Sequence, residues 1–219
     1  MPRALFEKTG NAIYISHLDL MRVFQRAFKR AGLHLTHTQG FSPRPSVSIA
    51  LPMSVGVESH CELLDFDLSG EPLPLEEIMV RLNNALIDGV RVLSVYNSTD
   101  KVKSIALLDC TITLEYDNGI PNNGIAILNH LFAQPSLIIE KRGKNGIVKQ
   151  DIIPLIRKLQ ISAVNDNILK LDGQICCQNP ALNPMQITAA IEHFCPELKP
   201  DFAQYCRNEI YHQDERIFR

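Results

Sequence analysis

The 219-residue sequence lacks the short signatures that announce a common chemistry. There is no Gly-x-x-x-x-Gly-Lys to cradle phosphates, no nucleophile elbow and no His-Glu-x-x-His. Their absence removes the usual nucleotide, hydrolase and metalloprotease mechanisms. No two of the six cysteines form a Cys-x-x-Cys pair, and there is no Cys-x-x-x-Cys-x-x-Cys to hold an iron–sulfur cluster. No apolar run approaches the roughly 18–20 residues of a membrane helix. The first residues, Met1-Pro2-Arg3-Ala4-Leu5-Phe6-Glu7, contain no apolar secretory core. The expectation is a soluble, cytoplasmic protein with no membrane partner. With 45% hydrophobic and 21% charged residues, the chain is neither disordered, collagenous nor a coiled coil.

The cysteines are Cys61, Cys110, Cys176, Cys177, Cys195 and Cys206. Most lie in apolar stretches such as Leu108-Asp109-Cys110-Thr111-Ile112, where a thiol acts as a small hydrophobe. The vicinal pair Cys176-Cys177 would suit a soft metal but has no partner at ligand spacing. The sequence therefore implies no metal, no cofactor and no disulfide.

A total charge of −2 conceals a segregation. Residues 1–50 carry seven basic groups against two acids, and residues 51–90 carry one base, Arg81, against eight acids. Such asymmetry points to a surface facing a polyanion.

Period-2 alternation predicts strands over 3–15, 33–37, 47–51, 61–68 and 90–96. The first is broken by Lys8-Thr9-Gly10-Asn11 and the second is cut off by Gly40-Phe41-Ser42-Pro43-Arg44-Pro45. Ser16-His17-Leu18-Asp19 has the form of a capping box, predicting a helix over 17–31 stopped by Gly32. Leu20, Phe24, Ala27, Phe28 and Ala31 share one helix face. Arg22, Arg26, Lys29 and Arg30 lie about 180–280° away from Leu20 at 100° per residue. Pro74-Leu75 opens a second helix through Leu86. The order β-α-β-β-α-β is that of a ferredoxin-like module spanning 1–99.

Residues 100–219 repeat this grammar less cleanly. Strands are predicted over 105–116, 156–164, 167–176 and 202–212, and helices over 125–132 and 185–194. An extra hairpin turns about Gly143-Lys144-Asn145. The predicted class is α+β, with two tandem ferredoxin-like modules and helices packed on antiparallel sheets.

Arg22, Arg26 and Arg30 recur at i, i+4, i+8 with only Asp19 to pair with, an arrangement suited to phosphates. Two prolines stiffen the loop that carries Arg44. Phe41 in that loop either covers the core or offers its ring to a base. His17, just after the N-cap, is either a hydrogen-bonded neighbour of the cap or an acid/base close to bound phosphate.

Residues 5–68 resemble the radical-SAM-linked domain family of bacterial proteins, which occurs alone or fused behind radical SAM domains. The resemblance is carried by Lys8-Thr9-Gly10, Ile15 through Arg22, Arg26-Ala27, Arg30-Ala31-Gly32, Gln39-Gly40-Phe41, Pro43 and Pro45. Pro52, Val55-Gly56-Val57-Glu58-Ser59 and Glu62 extend it. Arg44 stands where that family has a histidine, which counts against catalysis by this loop. The helix-and-loop pattern is similar, more distantly, to RAMP-superfamily CRISPR RNA-processing proteins, although their C-terminal glycine-rich loop is absent here.

These resemblances imply an RNA-binding accessory protein in radical SAM-linked RNA modification or processing. Arg22, Arg26, Lys29, Arg30, Phe41 and Arg44 would be its contacts. A radical SAM protein is the implied protein partner, and a non-catalytic docking domain using Asp65 and Asp67 is the alternative. A metal-independent ribonuclease using His17 is the least favoured reading.

Overall fold

The computed structural model describes residues 1–143 and 146–219, without the side chains of 142 and 143. The expected turn about Gly143-Lys144-Asn145 therefore lies, at Lys144 and Asn145, outside the described residues. The fold is α+β, with four α-helices and largely antiparallel strands among the described residues. Two compact units make up the chain: Met1–Ser104 together with Phe218–Arg219, and Ile105–Ile217.

The first unit contains β1 (Pro2–Lys8), α1 (His17–Arg30), β2 (Val47–Ala50), β3 (Val57–Phe66), α2 (Leu75–Asn83) and β4 (Val90–Asn97). Its strands lie in the order β4-β1-β3-β2, each pair antiparallel. The helices close one face over a core of Ala4, Phe6, Phe24, Phe28, Leu64, Phe66, Leu82 and Val92. Ring pairs tie this core together: Phe6 meets Phe24 edge-on at 4.8 Å, and Phe28 meets Phe66 at 5.0 Å.

Directly across the β1–β3 ladder, Arg3 faces Asp65. Its guanidinium donates to both carboxylate oxygens at 2.5 and 3.0 Å, to Ser98 Oγ at 2.9 Å and to the Asp100 carbonyl at 3.1 Å. The ring of Phe218 lies 4.9 Å from the same guanidinium, and Ser98 donates its hydroxyl to the Arg219 carbonyl at 2.8 Å. A charge taken out of water is tolerated here because every side of it meets an acceptor or a ring.

The second unit contains β5 (Leu107–Glu115), α3 (Gly124–Phe132), β6 (Ile138–Gly143), β7 (Gly146–Asp151), β8 (Ile156–Asn165), β9 (Ile168–Cys176), α4 (Pro184–Phe194) and β10 (Phe202–Tyr211). Its main strands follow the order β10-β5-β9-β8, all antiparallel, while β6 and β7 pair only with each other. A capping box opens α4. Asn183 Oδ1 accepts from the Met185 N–H, and Gln186 Oε1 accepts from the Asn183 N–H.

Two elements depart from the sequence expectation. Residues 33–37 form no strand: Leu35 and His37 make only isolated bridges, to Leu68 and Pro45. Further on, α2 stops at Asn83 rather than Leu86, because the Asn83 amide reaches across to β4. It donates to the Val92 carbonyl at 2.9 Å and accepts from the Val92 N–H at 2.8 Å.

Phe218 is fully buried, whereas Phe41 has a relative exposure of 110%. Phe218→Ala should cost the first unit about 3–5 kcal/mol, the range for emptying a buried aromatic site. Phe41→Ala should leave the urea midpoint of the same transition within experimental error.

Candidate functional site

The N-terminus of α1 is fixed by Ser16. Its hydroxyl oxygen accepts from the Asp19 N–H at 3.2 Å while its O–H donates to Asp19 Oδ2 at 2.7 Å. This hydroxyl first, and then Arg22, holds the Asp19 carboxyl below the usual range. The C-terminus closes with Gly32 at φ +68°, Gly32 N–H bonding Lys29 O and Leu33 N–H bonding Phe28 O, the two bonds of a Schellman turn. Between these caps Leu20, Phe24, Ala27 and Phe28 are buried, which leaves Arg22, Arg26, Lys29 and Arg30 exposed.

The four cations differ in what they touch. Arg22 pairs with Asp19 at 2.7 Å, an exposed i,i+3 contact of little energetic worth. Arg30 donates from Nη2 to the Ala85 carbonyl just beyond α2. Arg26 and Lys29 have no hydrogen bond or ion pair among the described residues. One guanidinium and one ammonium therefore stand exposed on one helix face with no protein acceptor among the described residues.

The loop before β2 is braced at its base. Thr38 N–H bonds Arg44 O at 2.9 Å, Arg44 N–H bonds Thr38 Oγ1 at 3.1 Å, and Ser46 N–H bonds Thr36 O at 2.8 Å. These bonds hold the tip outward, so Phe41 projects into solvent; the core-covering alternative for this ring does not hold. Arg44 is exposed as well. Among the described residues no hydrogen bond, ion pair or ring contact joins this loop to the cations of α1. His17 is half-buried and has no hydrogen-bond partner among the described residues.

Several expectations need correcting. Arg3 and Lys8, two of the seven basic groups near the N-terminus, are buried, Arg3 on Asp65 and Lys8 with Nζ 3.4 Å from the Ile13 carbonyl. Asp65 is correspondingly withdrawn from any acidic docking face, while Asp67 accepts from the Thr36 hydroxyl at 2.9 Å.

Three features escaped the sequence reading. Tyr14 and Leu18 are exposed at the start of α1, and Val55 is exposed in the neighbouring turn that Gly56 N–H ties to Ile13 O at 2.9 Å. The extended stretch expected over 3–15 ends at Lys8: Gly10–Tyr14 is a short 3-10 turn, and the Tyr14 ring is exposed. The third is a cleft of about 490 Å³ lined by Arg30, Ala31, Arg81, Asn84, Ala85 and Leu86.

Residues 2–184 match a family described as uncharacterized protein conserved in bacteria, DUF2344. The chain belongs to this family. No curated protein matches it. Among solved structures, this DUF2344 chain is similar to an unknown protein from Galdieria sulphuraria, at 9% identity over 94% of this chain and 96% of that one, with a TM-score of 0.27. It is also similar to a protein described as a glycine cleavage system transcriptional repressor, at 14% identity over 94% and 96%, with a TM-score of 0.24. No helix among the described residues of the DUF2344 chain is long and apolar enough to cross a membrane.

Cys176 and Cys177 end β9 and are both buried. Burial pushes the Cys177 thiol up to about 12, and burial next to Asp109 does the same for Cys110. Such thiols stay protonated at neutral pH and make poor nucleophiles. Among the described residues no three His, Cys, Asp or Glu side chains gather closely enough to hold a metal ion.

Iodoacetamide at pH 7 should therefore label native protein first at Cys206, the half-buried thiol, and leave Cys110, Cys176 and Cys177 unmodified until urea unfolds the second unit. Peptide mass mapping against time reads the order directly.

Proposed function

We propose that this chain is an RNA-binding accessory protein working with radical SAM-linked RNA modification or processing. The observation that carries the reading is the exposed cationic face of α1. Among the described residues Arg26 and Lys29 stand without a protein acceptor, flanked by Arg22 on Asp19 and Arg30 on the Ala85 carbonyl. A solvated row of like charges gains nothing for the fold, since its members repel one another, whereas a phosphodiester backbone would neutralise them one by one. Phe41, held clear of the core, offers a π-face to a base, and Arg44 on the same loop adds a further phosphate contact.

Two further points support the reading. Strand orders β4-β1-β3-β2 and β10-β5-β9-β8, each with a helix after its first and third main strand, fit two ferredoxin-like modules. The distant resemblance of the helix-and-loop pattern to RAMP-superfamily proteins, which pair two such folds and bind RNA, agrees with this reading. The radical SAM partner rests on the resemblance over residues 5–68. The docking alternative loses support because Asp65 is engaged by Arg3.

Binding of a fluorescent single-stranded RNA, followed by anisotropy, tests this reading. With three or four phosphate contacts, log K should fall with log salt at a slope of about −2 to −3. Arg26→Glu with Lys29→Glu should weaken binding by roughly 10–100-fold and flatten that slope. Phe41→Ala should cost about 5–100-fold, the worth of one base stack, with the slope unchanged. Asp19→Asn frees Arg22 and should tighten binding slightly. No binding by the native chain at 50 mM salt would refute the reading.

A further inference from the structure

The cleft lined by Arg30, Arg81 and Asn84 lies at the C-terminal end of the cationic row, and Arg81 and Asn84 have no role in the proposal above. It forms because α1 and α2 end side by side, each followed by a turn: Gly32-Leu33 after α1, and Asn84-Ala85-Leu86 after α2. Two guanidiniums and one carboxamide line it, and no carboxylate does. Arg81 contacts Glu77, its own helix neighbour one turn earlier, and Arg30 gives one Nη2 proton to Ala85 O. Each guanidinium carries five N–H donors, so both keep most of theirs for a ligand.

Helix C-termini ordinarily repel anions through their exposed carbonyls. Here several of those carbonyls are answered from within the chain. Leu33 N–H and Gly32 N–H cap Phe28 O and Lys29 O, Ala85 and Leu86 N–H both bond Leu82 O, and Arg30 takes Ala85 O. The polar residues that line the cleft are Arg30, Arg81 and Asn84, beside Ala31, Ala85 and Leu86, and Arg81 shares its charge with Glu77.

We propose that this cleft binds a phosphate monoester of a nucleotide, specifically the 5′-terminal phosphate of an RNA strand whose backbone runs along α1. The inference rests on the RNA reading for its orientation and shares Arg30 with it, while Arg81 and Asn84 are its own. A diester in mid-strand bears a single charge and suits the isolated cations Arg26 and Lys29. A terminal monoester approaches two charges and has three free oxygens, which suits two arginines that line one cleft. A volume of about 490 Å³ exceeds what a bare phosphate needs and falls within the range of small-molecule sites, leaving space for the attached nucleoside.

Two single-stranded RNA oligomers of one sequence, one 5′-phosphorylated and one 5′-hydroxyl, discriminate the proposal in the same anisotropy assay. The native chain should prefer the phosphorylated strand by about 10-fold or more. Arg81→Gln should abolish that preference and leave the 5′-hydroxyl strand bound as before. Glu77→Gln, which releases Arg81, should raise the preference two- to five-fold. Arg26→Glu should weaken both strands alike. Equal binding of the two strands by the native chain overturns the cleft and leaves the RNA reading standing.

If neither strand binds, adenosine monophosphate titrated against ¹⁵N-labelled protein decides the cleft alone. Shifts of the Asn84 side-chain amide that vanish in Arg81→Gln support it, and unmoved resonances overturn it. Adenosine monophosphate as an equal competitor of both strands would likewise overturn end recognition.

Discussion

The rotation of α1 about its own axis is the constraint on which the candidate surface depends. Phe24 is wedged against Phe6 of β1, and Phe28, one turn on, against Phe66 of β3. Two anchors on two different strands leave the helix no freedom to roll. A roll of one residue would turn it by about 100° and drive arginines toward a sheet lined with Leu64 and Val92. Burying two phenylalanines is worth about 3–6 kcal/mol together, far more than any surface ion pair could recover by another orientation. The outward row of cations is thus a consequence of aromatic packing on the opposite side.

Local signals made most elements legible. The Ser16 cap, the Gly32 stop and the three-four spacing of Leu20, Phe24, Ala27 and Phe28 all act within one helix, so α1 was readable residue by residue. The end of α2 was not, because the group that stops it is Val92, nine residues on and in another strand. Residues 33–37 misled for a related reason. Their alternation looks strand-like, yet they make only isolated bridges, Leu35 to Leu68 and His37 to Pro45, in place of a ladder. Arg81 was visible only as a lone base in an acidic stretch; nothing in sequence brings it beside Arg30, which lies 51 positions earlier.

The residues that carry the family resemblance divide by what the fold asks of them. Gly32 and Gly56 occupy left-handed backbone, Ser16 caps a helix, and Lys8 and Glu62 are buried. Architecture accounts for these. Arg22, Arg26 and Phe41 are in the same set but are exposed and contribute nothing to the core. Read in isolation, the sequence mixes both groups. Solvent exposure and hydrogen-bond partners separate them, and the remainder that architecture leaves unexplained is the row and ring from which a ligand was inferred.

Phe218 and Arg219 belong to the first unit although residues 105–217 intervene. Chains emerge from the ribosome in order, and modules fold as their residues arrive. The first unit would wait, with the guanidinium of Arg3 lacking its aromatic cover, through the synthesis of the entire second unit. Its maturation is therefore coupled to completion of translation at least as far as position 219, so a stalled or proteolysed product carries an unfinished seam instead of an independently competent front half.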